Sequence, residues 1–98
     1  MEEQKIRTAV VGAGKMGSIH AKVYSQLPNS RLVAVVDADK ARASQLAEKY
    51  GCAAYTDPAE ILDKVDAVTI ATPTTTHLEV AKLFLNSRIP VLVEKPLA

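Results

Sequence analysis

The chain contains a single cysteine, no excess of either charge and no long apolar run. One cysteine, Cys52, excludes an internal disulfide and a thiolate metal cluster. Its neighbours Gly51 and Ala53 supply no positive charge to activate it, so Cys52 reads as a buried structural thiol. Twelve Lys plus Arg stand against eleven Asp plus Glu, a formal charge of +1. Because the two signs alternate and form no stripe, long-range attraction to nucleic acid or to an anionic membrane has no source. The opening Met1-Glu2-Glu3-Gln4-Lys5 is charged, and the apolar stretch after it is too short for a signal-peptide core or a membrane span. We therefore expect a cytoplasmic protein. Internal repeats, low-complexity tracts, linkers and metal-ligand spacings of His, Cys and Asp are all missing. What is present, 48% apolar and 23% charged residues in 98 positions, is the composition of one small globular domain with no room for a second.

Four short apolar runs stand out: IRTAVV from Ile6 to Val11, LVAVV from Leu32 to Val36, AVTIA from Ala67 to Ala71, and PVLV from Pro90 to Val93. They are continuous, not alternating, as a strand covered by helices on both faces requires, and this argues for a parallel sheet. A weaker strand at Cys52 to Tyr55 belongs toward an edge. Helical periods fill the gaps. Met16, Ile19, Val23 and Leu27 form a stripe expected to cover the sheet, and Pro28 stops that helix. Asp39 can cap a second helix with Ala43, Leu46, Ala47 and Tyr50 facing inward and Gly51 closing it. Asp57-Pro58-Ala59-Glu60 specifies a short helix start. Thr76-His77-Leu78-Glu79 repeats the capping pattern, with Val80, Leu83, Phe84 and Ser87 continuing a face; Asn86, Ser87 or Arg88 must supply the left-handed turn after it. Right-handed crossovers then give a doubly wound α/β sheet of order 3-2-1-4-5. A ligand crevice is expected at the carboxyl ends of the first and fourth strands, where the winding reverses.

Gly12-Ala13-Gly14-Lys15-Met16-Gly17 is G-x-G-x-x-G placed between an apolar strand and an amphipathic helix. Gly12 permits the tight turn, Gly14 leaves no side chain between backbone and pyrophosphate, and Gly17 lets helix and strand pack closely. Amides of the first helical turn then face the anion, aided by the helix dipole. A chance turn, a related nucleotide or a vestigial loop is the blander reading, and the strand-turn-helix context weighs against it. Lys15 is not a P-loop lysine, since G-K-[ST] is absent. Asp37, twenty positions beyond Gly17, can accept from both adenosine ribose hydroxyls and would repel a 2′-phosphate, which favours NAD over NADP. Lys40 and Arg42 nearby keep NADP open. A helix cap is the structural alternative for Asp37, weakened by Asp39.

Across the crevice, Ala71-Thr72-Pro73-Thr74 ends the fourth strand with amides and hydroxyls able to bond the nicotinamide side, while Thr76 serves equally well as a cap. His77, in the first helical turn, can donate to cofactor or substrate, though it has no partner that would make it a base. His20 reads as a packing contact in the first helix. Glu94-Lys95-Pro96 follows the last strand at the same edge; Lys95 could hold a substrate oxygen, with Glu94 setting its position, or the pair could be a solvated strand end.

With these residues in place, the chain resembles the Gfo/Idh/MocA oxidoreductases, the sugar and inositol dehydrogenases related to glucose-fructose oxidoreductase. The resemblance spans almost the whole chain and is carried by VVGAGKMGSIHA (Val10 to Ala21), VVDAD (Val35 to Asp39), DAVTIATPTTTH (Asp66 to His77) and VLVEKPLA (Val91 to Ala98). It implies a Rossmann-type nucleotide domain whose glycine turn binds the cofactor diphosphate and whose Asp37 holds the ribose. It further implies that Thr72 to Thr74 and Glu94 line the nicotinamide and that Lys95 acts in catalysis or substrate orientation. The acid/base histidine of the family lies in a second, substrate-binding domain beyond the equivalent of Ala98. The expectation is thus the NAD-binding half of a dehydrogenase acting on a secondary hydroxyl of a sugar, cyclitol or nucleotide sugar, inactive alone. Self-association through an exposed edge at Pro90 to Val93 is expected, giving a homo-oligomer. The rival is a nucleotide-sensing module without chemistry. One departure is that Asn86-Ser87-Arg88-Ile89 stands where many members have glycine.

Overall fold

The computed structural model describes residues 6–71 and 74–93, with residues 15–16, 74–78 and 92–93 described by backbone alone. The elements run β1 (Ile6–Val11), α1 (Lys15–Gln26), β2 (Ser30–Val36), α2 (Lys40–Tyr50), β3 (Ala53–Tyr55), a 3₁₀ turn (Pro58–Ile61), β4 (Ala67–Ile70), α3 (Thr74–Asn86) and β5 (Val91–Val93). All five strands are parallel and lie in the order β3-β2-β1-β4-β5. The doubly wound sheet expected from the apolar runs is therefore present, with β1 and β4 adjacent at the point where the winding reverses.

The two faces carry different cores. On one, Val10, Leu32 and Val35 pack under α1 and α2 through Ala21, Leu46 and Ala47. On the other, Ala9, Val11, Ala34, Val36, Val68 and Ile70 meet Ile61 of the 3₁₀ turn and Ala81 and Phe84 of α3. Phe84 is the largest wholly buried side chain among the described residues; burying it contributes about 1.5–3 kcal/mol. The β1–β2 register shifts between Thr8 and Ala9, which pair with Leu32 and Ala34. Val33 is thus an extra residue in β2. Leu32 and Val35, three apart, share a face because of it.

Polar groups inside the sheet are matched. Thr69 of β4 is fully buried and bonded to the Tyr24 hydroxyl on α1, and Thr8 shares a 2.9 Å hydrogen bond with Ser30. Cys52 is half-buried, and burial pushes its thiol pKa up, consistent with an unreactive side chain.

Two local expectations are corrected. Of the α1 stripe, Ile19, Val23 and Leu27 face outward, 48%, 46% and 45% exposed, while Gly17 and Ala21 are buried and Tyr24 half-buried; the Met16 side chain lies outside what is described. Gly17 must lie against the backbone of Gly12, and this sets the helix's rotation so that the small residues four apart meet the sheet. The second correction concerns α3, which begins at Thr74, so Thr76 is its third residue and not its cap. Along α3, Ala81 and Phe84 are buried and Val80 and Leu83 half-buried, but Ser87 lies past the helix and is exposed.

Two of the three α-helices, α2 and α3, use the same ending. After α2, Gly51 takes φ 68°, and Cys52 N–H reaches the Ala47 carbonyl at 3.0 Å. After α3, Arg88 takes φ 62°, and Ile89 N–H reaches the Phe84 carbonyl at 2.9 Å while Arg88 N–H meets Leu85 at 3.0 Å. This is the Schellman pattern, with Ile89 and Phe84 in apolar contact across it. Of the three residues open for the left-handed position, Arg88 fills it.

Candidate cofactor site

The site is built where β1 hands over to α1. Gly12 closes the strand with φ 107°, a conformation that costs an L side chain about 1–2 kcal/mol, and its N–H bonds the Val36 carbonyl of β2 at 2.6 Å. A methyl at Gly17 would land on the Gly12 carbonyl oxygen, with the carbonyl carbon 2.7 Å away and the Val10 side chain at 3.4 Å. The helix therefore approaches the strand as closely as backbone allows. At Gly14 the situation is the opposite: its backbone is extended, at φ −79° and ψ −160°, and a methyl there would meet nothing within 4 Å. Neither fold nor backbone demands glycine at 14, so the bare position leaves open space over the turn.

Gly14 is also the N-cap of α1 and offers no side chain to cap it. The amides of residues 15–17, lacking intrahelical acceptors, point out of the helix end beside that space, with the positive end of the dipole behind them. Ser18 is the first to bond back, to the Gly14 carbonyl, through its N–H at 2.9 Å and its hydroxyl at 2.9 Å. A helix start with free amides and a bare, open N-cap position is what a diphosphate fits.

Asp37 stands directly after β2, half-buried beside this turn. One carboxylate oxygen accepts the Ala13 N–H at 2.7 Å and the other the Asp39 N–H at 2.8 Å. Each oxygen has a second lone-pair direction left for a hydroxyl. Asp39 does the capping: it accepts from the Ala41 and Arg42 amides at 3.0 and 3.3 Å, and its other oxygen lies 3.8 Å from Arg42 Nε. The cap of α2 is thus Asp39 and not Asp37. The Ala13–Asp37 bond links residues 24 apart and carried no signal in the sequence.

Ala71 lies half-buried at the end of β4, its N–H bonded to the Val11 carbonyl of the adjacent β1 at 2.8 Å. The turn, Asp37 and the end of β4 therefore share the carboxyl edge of the sheet. Lys15 and Met16 open α1, and Thr74 and His77 occupy the first turn of α3. Thr72, Pro73, Glu94 and Lys95 lie outside the described residues. Among the described residues no group of His, Cys, Asp and Glu could hold a metal, and no helix is long and apolar enough to cross a membrane.

Residues 6–98 match the Gfo/Idh/MocA family model, described as an oxidoreductase family with an NAD-binding Rossmann fold. The chain belongs to this family. Among its curated relatives is an inositol 2-dehydrogenase of Rubrobacter xylanophilus, 41% identical over 100 residues, which cover 99% of this chain and 29% of the relative. A UDP-N-acetylglucosamine 3-dehydrogenase of Acidithiobacillus ferrooxidans is 38% identical over 91 residues, covering 93% of this chain and 28% of the relative. Of solved structures, GenD2 from gentamicin A biosynthesis in complex with NAD superposes with a TM-score of 0.92 at 38% identity, covering all of this chain and 29% of that one. The solved Acidithiobacillus enzyme gives 0.88 at 37% identity, covering 96% and 31%. This Gfo/Idh/MocA chain thus spans under a third of the length of these relatives, and its fold is that of their nucleotide-binding domain.

Proposed function

We propose that this chain binds NAD through the glycine turn and Asp37, and serves a dehydrogenase that oxidises a secondary hydroxyl of a sugar, cyclitol or nucleotide sugar. The observation that carries the reading is the open, uncapped α1 start at Gly14 with the Asp37 carboxylate beside it. The amides of residues 15–17 would hold the diphosphate and the free lone pairs of Asp37 the adenosine diol. A 2′-phosphate would face the same carboxylate, so NAD is favoured over NADP. Arg42, one of the two candidates to offset that repulsion, leans instead toward Asp39. Bound there, the nicotinamide supplies a hydride acceptor and donor at its C4.

The chain's other contributions follow from the family resemblance. Ala71, the Thr72 to Thr74 loop and His77 would line the nicotinamide side together with Glu94. Lys95 would donate a hydrogen bond to the substrate oxygen whose charge changes during hydride transfer, holding it in place. The acid/base that takes the hydroxyl proton would come from a second domain, which also reads the substrate. The activities of the relatives, on inositol and on a UDP-sugar, support a polyol or sugar substrate class. A homo-oligomeric enzyme handling this small molecule in the cytoplasm is the accompanying proposal.

Calorimetric titration of the chain with NAD+ and NADP+ tests the cofactor half. Saturable NAD+ binding, at least about tenfold tighter than NADP+, is expected; equal affinity would remove the role given to Asp37, and no binding of either at millimolar levels would end the reading. For the chemistry, a Lys95→Met variant of an enzyme containing this domain should lose kcat with little change in NAD+ affinity. The chain alone should not turn over.

A further inference from the structure

We propose that Asp37 is a positioning residue for the phosphate turn as well as a reader of the ribose, so that one carboxylate sets both cofactor type and grip on the diphosphate. The inference rests on the dinucleotide reading above and deepens it.

The turn is pinned in three places. Gly12 N–H is tied to the Val36 carbonyl, and the Gly12 carbonyl is backed by Gly17. The third pin is Ala13 N–H on the Asp37 carboxylate at 2.7 Å. Ala13 is only 9% exposed, so its amide has little water to turn to once that acceptor is removed. The carboxylate itself is oriented by the Asp39 amide at the start of α2, which opposes its swinging away. The chain direction at Ala13 decides where Gly14 and the open amides of α1 point. Loss of the third pin therefore lets the anion site drift, even for a ligand that never touches Asp37.

Charge alone argues the other way. A carboxylate next to a diphosphate repels it, so neutralising Asp37 should tighten any ligand that makes no use of the carboxylate. The two views predict opposite signs for one ligand, 2′,3′-dideoxyadenosine diphosphate, which keeps adenine and diphosphate but has neither ribose hydroxyl.

The test compares the chain with Asp37→Ser and Asp37→Asn, the latter keeping shape and one acceptor oxygen. Affinity for the dideoxy nucleotide should fall about tenfold in Asp37→Ser, the scale of one hydrogen bond to a charged group, and less in Asp37→Asn. The Ala13 amide should exchange with solvent faster and its proton resonance should move upfield in both variants. NADP+ affinity should not rise in either, although the repelling charge is gone. Unchanged or increased affinity for the dideoxy nucleotide would overturn the proposal, and so would an unaltered Ala13 amide. Should Asp37→Ser not fold, Asp37→Asn gives the same signs. If the unsubstituted chain ignores ADP and NAD+ alike, the cofactor reading fails, and the Ala13 exchange rate alone then decides for or against the latch.

Discussion

Two aspartates stand at opposite ends of the same sheet and are used in opposite ways. Asp66, entering β4 at the amino edge, accepts from the Arg7 amide at 2.8 Å and from its guanidinium at 3.1 and 3.2 Å. The Arg7 side chain's hydrogen bond holds the Asp66 carboxyl below the usual carboxylate range, and Arg7 is itself pushed up by the same bond. That charge is answered within the chain and clips β1 to β4. At the carboxyl edge, the described partners of Asp37 are two backbone amides, which orient the carboxylate without cancelling its charge. A residue whose charge is cancelled closes a structure, whereas one left oriented but uncancelled is ready for a ligand.

The contrast between edges can be broken or sharpened by substitution. The largest effect is expected from Gly17→Ala, because its methyl would strike the Gly12 carbonyl, a backbone group with nowhere to move. Destabilisation of about 3 kcal/mol is expected in urea titrations. A variant near the unaltered stability would mean that the turn is soft. Next comes Gly14→Ala, whose methyl meets nothing in the folded chain; stability should hold to within about 0.5 kcal/mol. NAD+ affinity should drop about tenfold or more by calorimetry, since the methyl takes the diphosphate's space. The pair separates a glycine required by the fold from one reserved for the ligand. Asp39→Ala should cost about 1 kcal/mol in α2 capping while leaving NAD+ affinity in place, since the backbone amide that orients Asp37 remains.

Smallest is Asp66→Asn at the amino edge. Both partners are about half exposed, so the ion pair is screened by salt and the melting temperature should shift little. The sign is still testable. Because the folded-state pKa of Asp66 is depressed, its contribution is present above the ordinary carboxylate pKa and fades as pH falls through the lowered value. The small gap between unaltered chain and variant should therefore close in acid, and a gap that widened there would contradict the assignment.

Much of this was legible along the chain because it is written locally. The strand runs, the glycine turn, the Asp39 cap and the Asp57-Pro58 start each depend on residues within a few positions of one another, and Asp57 does accept from the Ala59 amide. The two Schellman endings mark the limit of that legibility. Gly51 announces one, but Arg88 takes the same left-handed position although nothing in its side chain favours it; the Ile89–Phe84 contact holds it there. An Arg88→Gly variant should accordingly gain about 0.5–1 kcal/mol.

Local pattern by itself determined the order of elements, the parallel sheet and the place of the phosphate turn, because hydrophobic period, caps and glycine geometry act over a turn or two of chain. Tertiary structure decided which side of α1 is buried. Periodicity pointed to its large apolar stripe, but the approach of Gly17 to Gly12 turned the small residues inward. It also decided what Asp37 holds: a partner 24 residues away is chosen by how two strands lie side by side, and that distance is invisible until the sheet has formed.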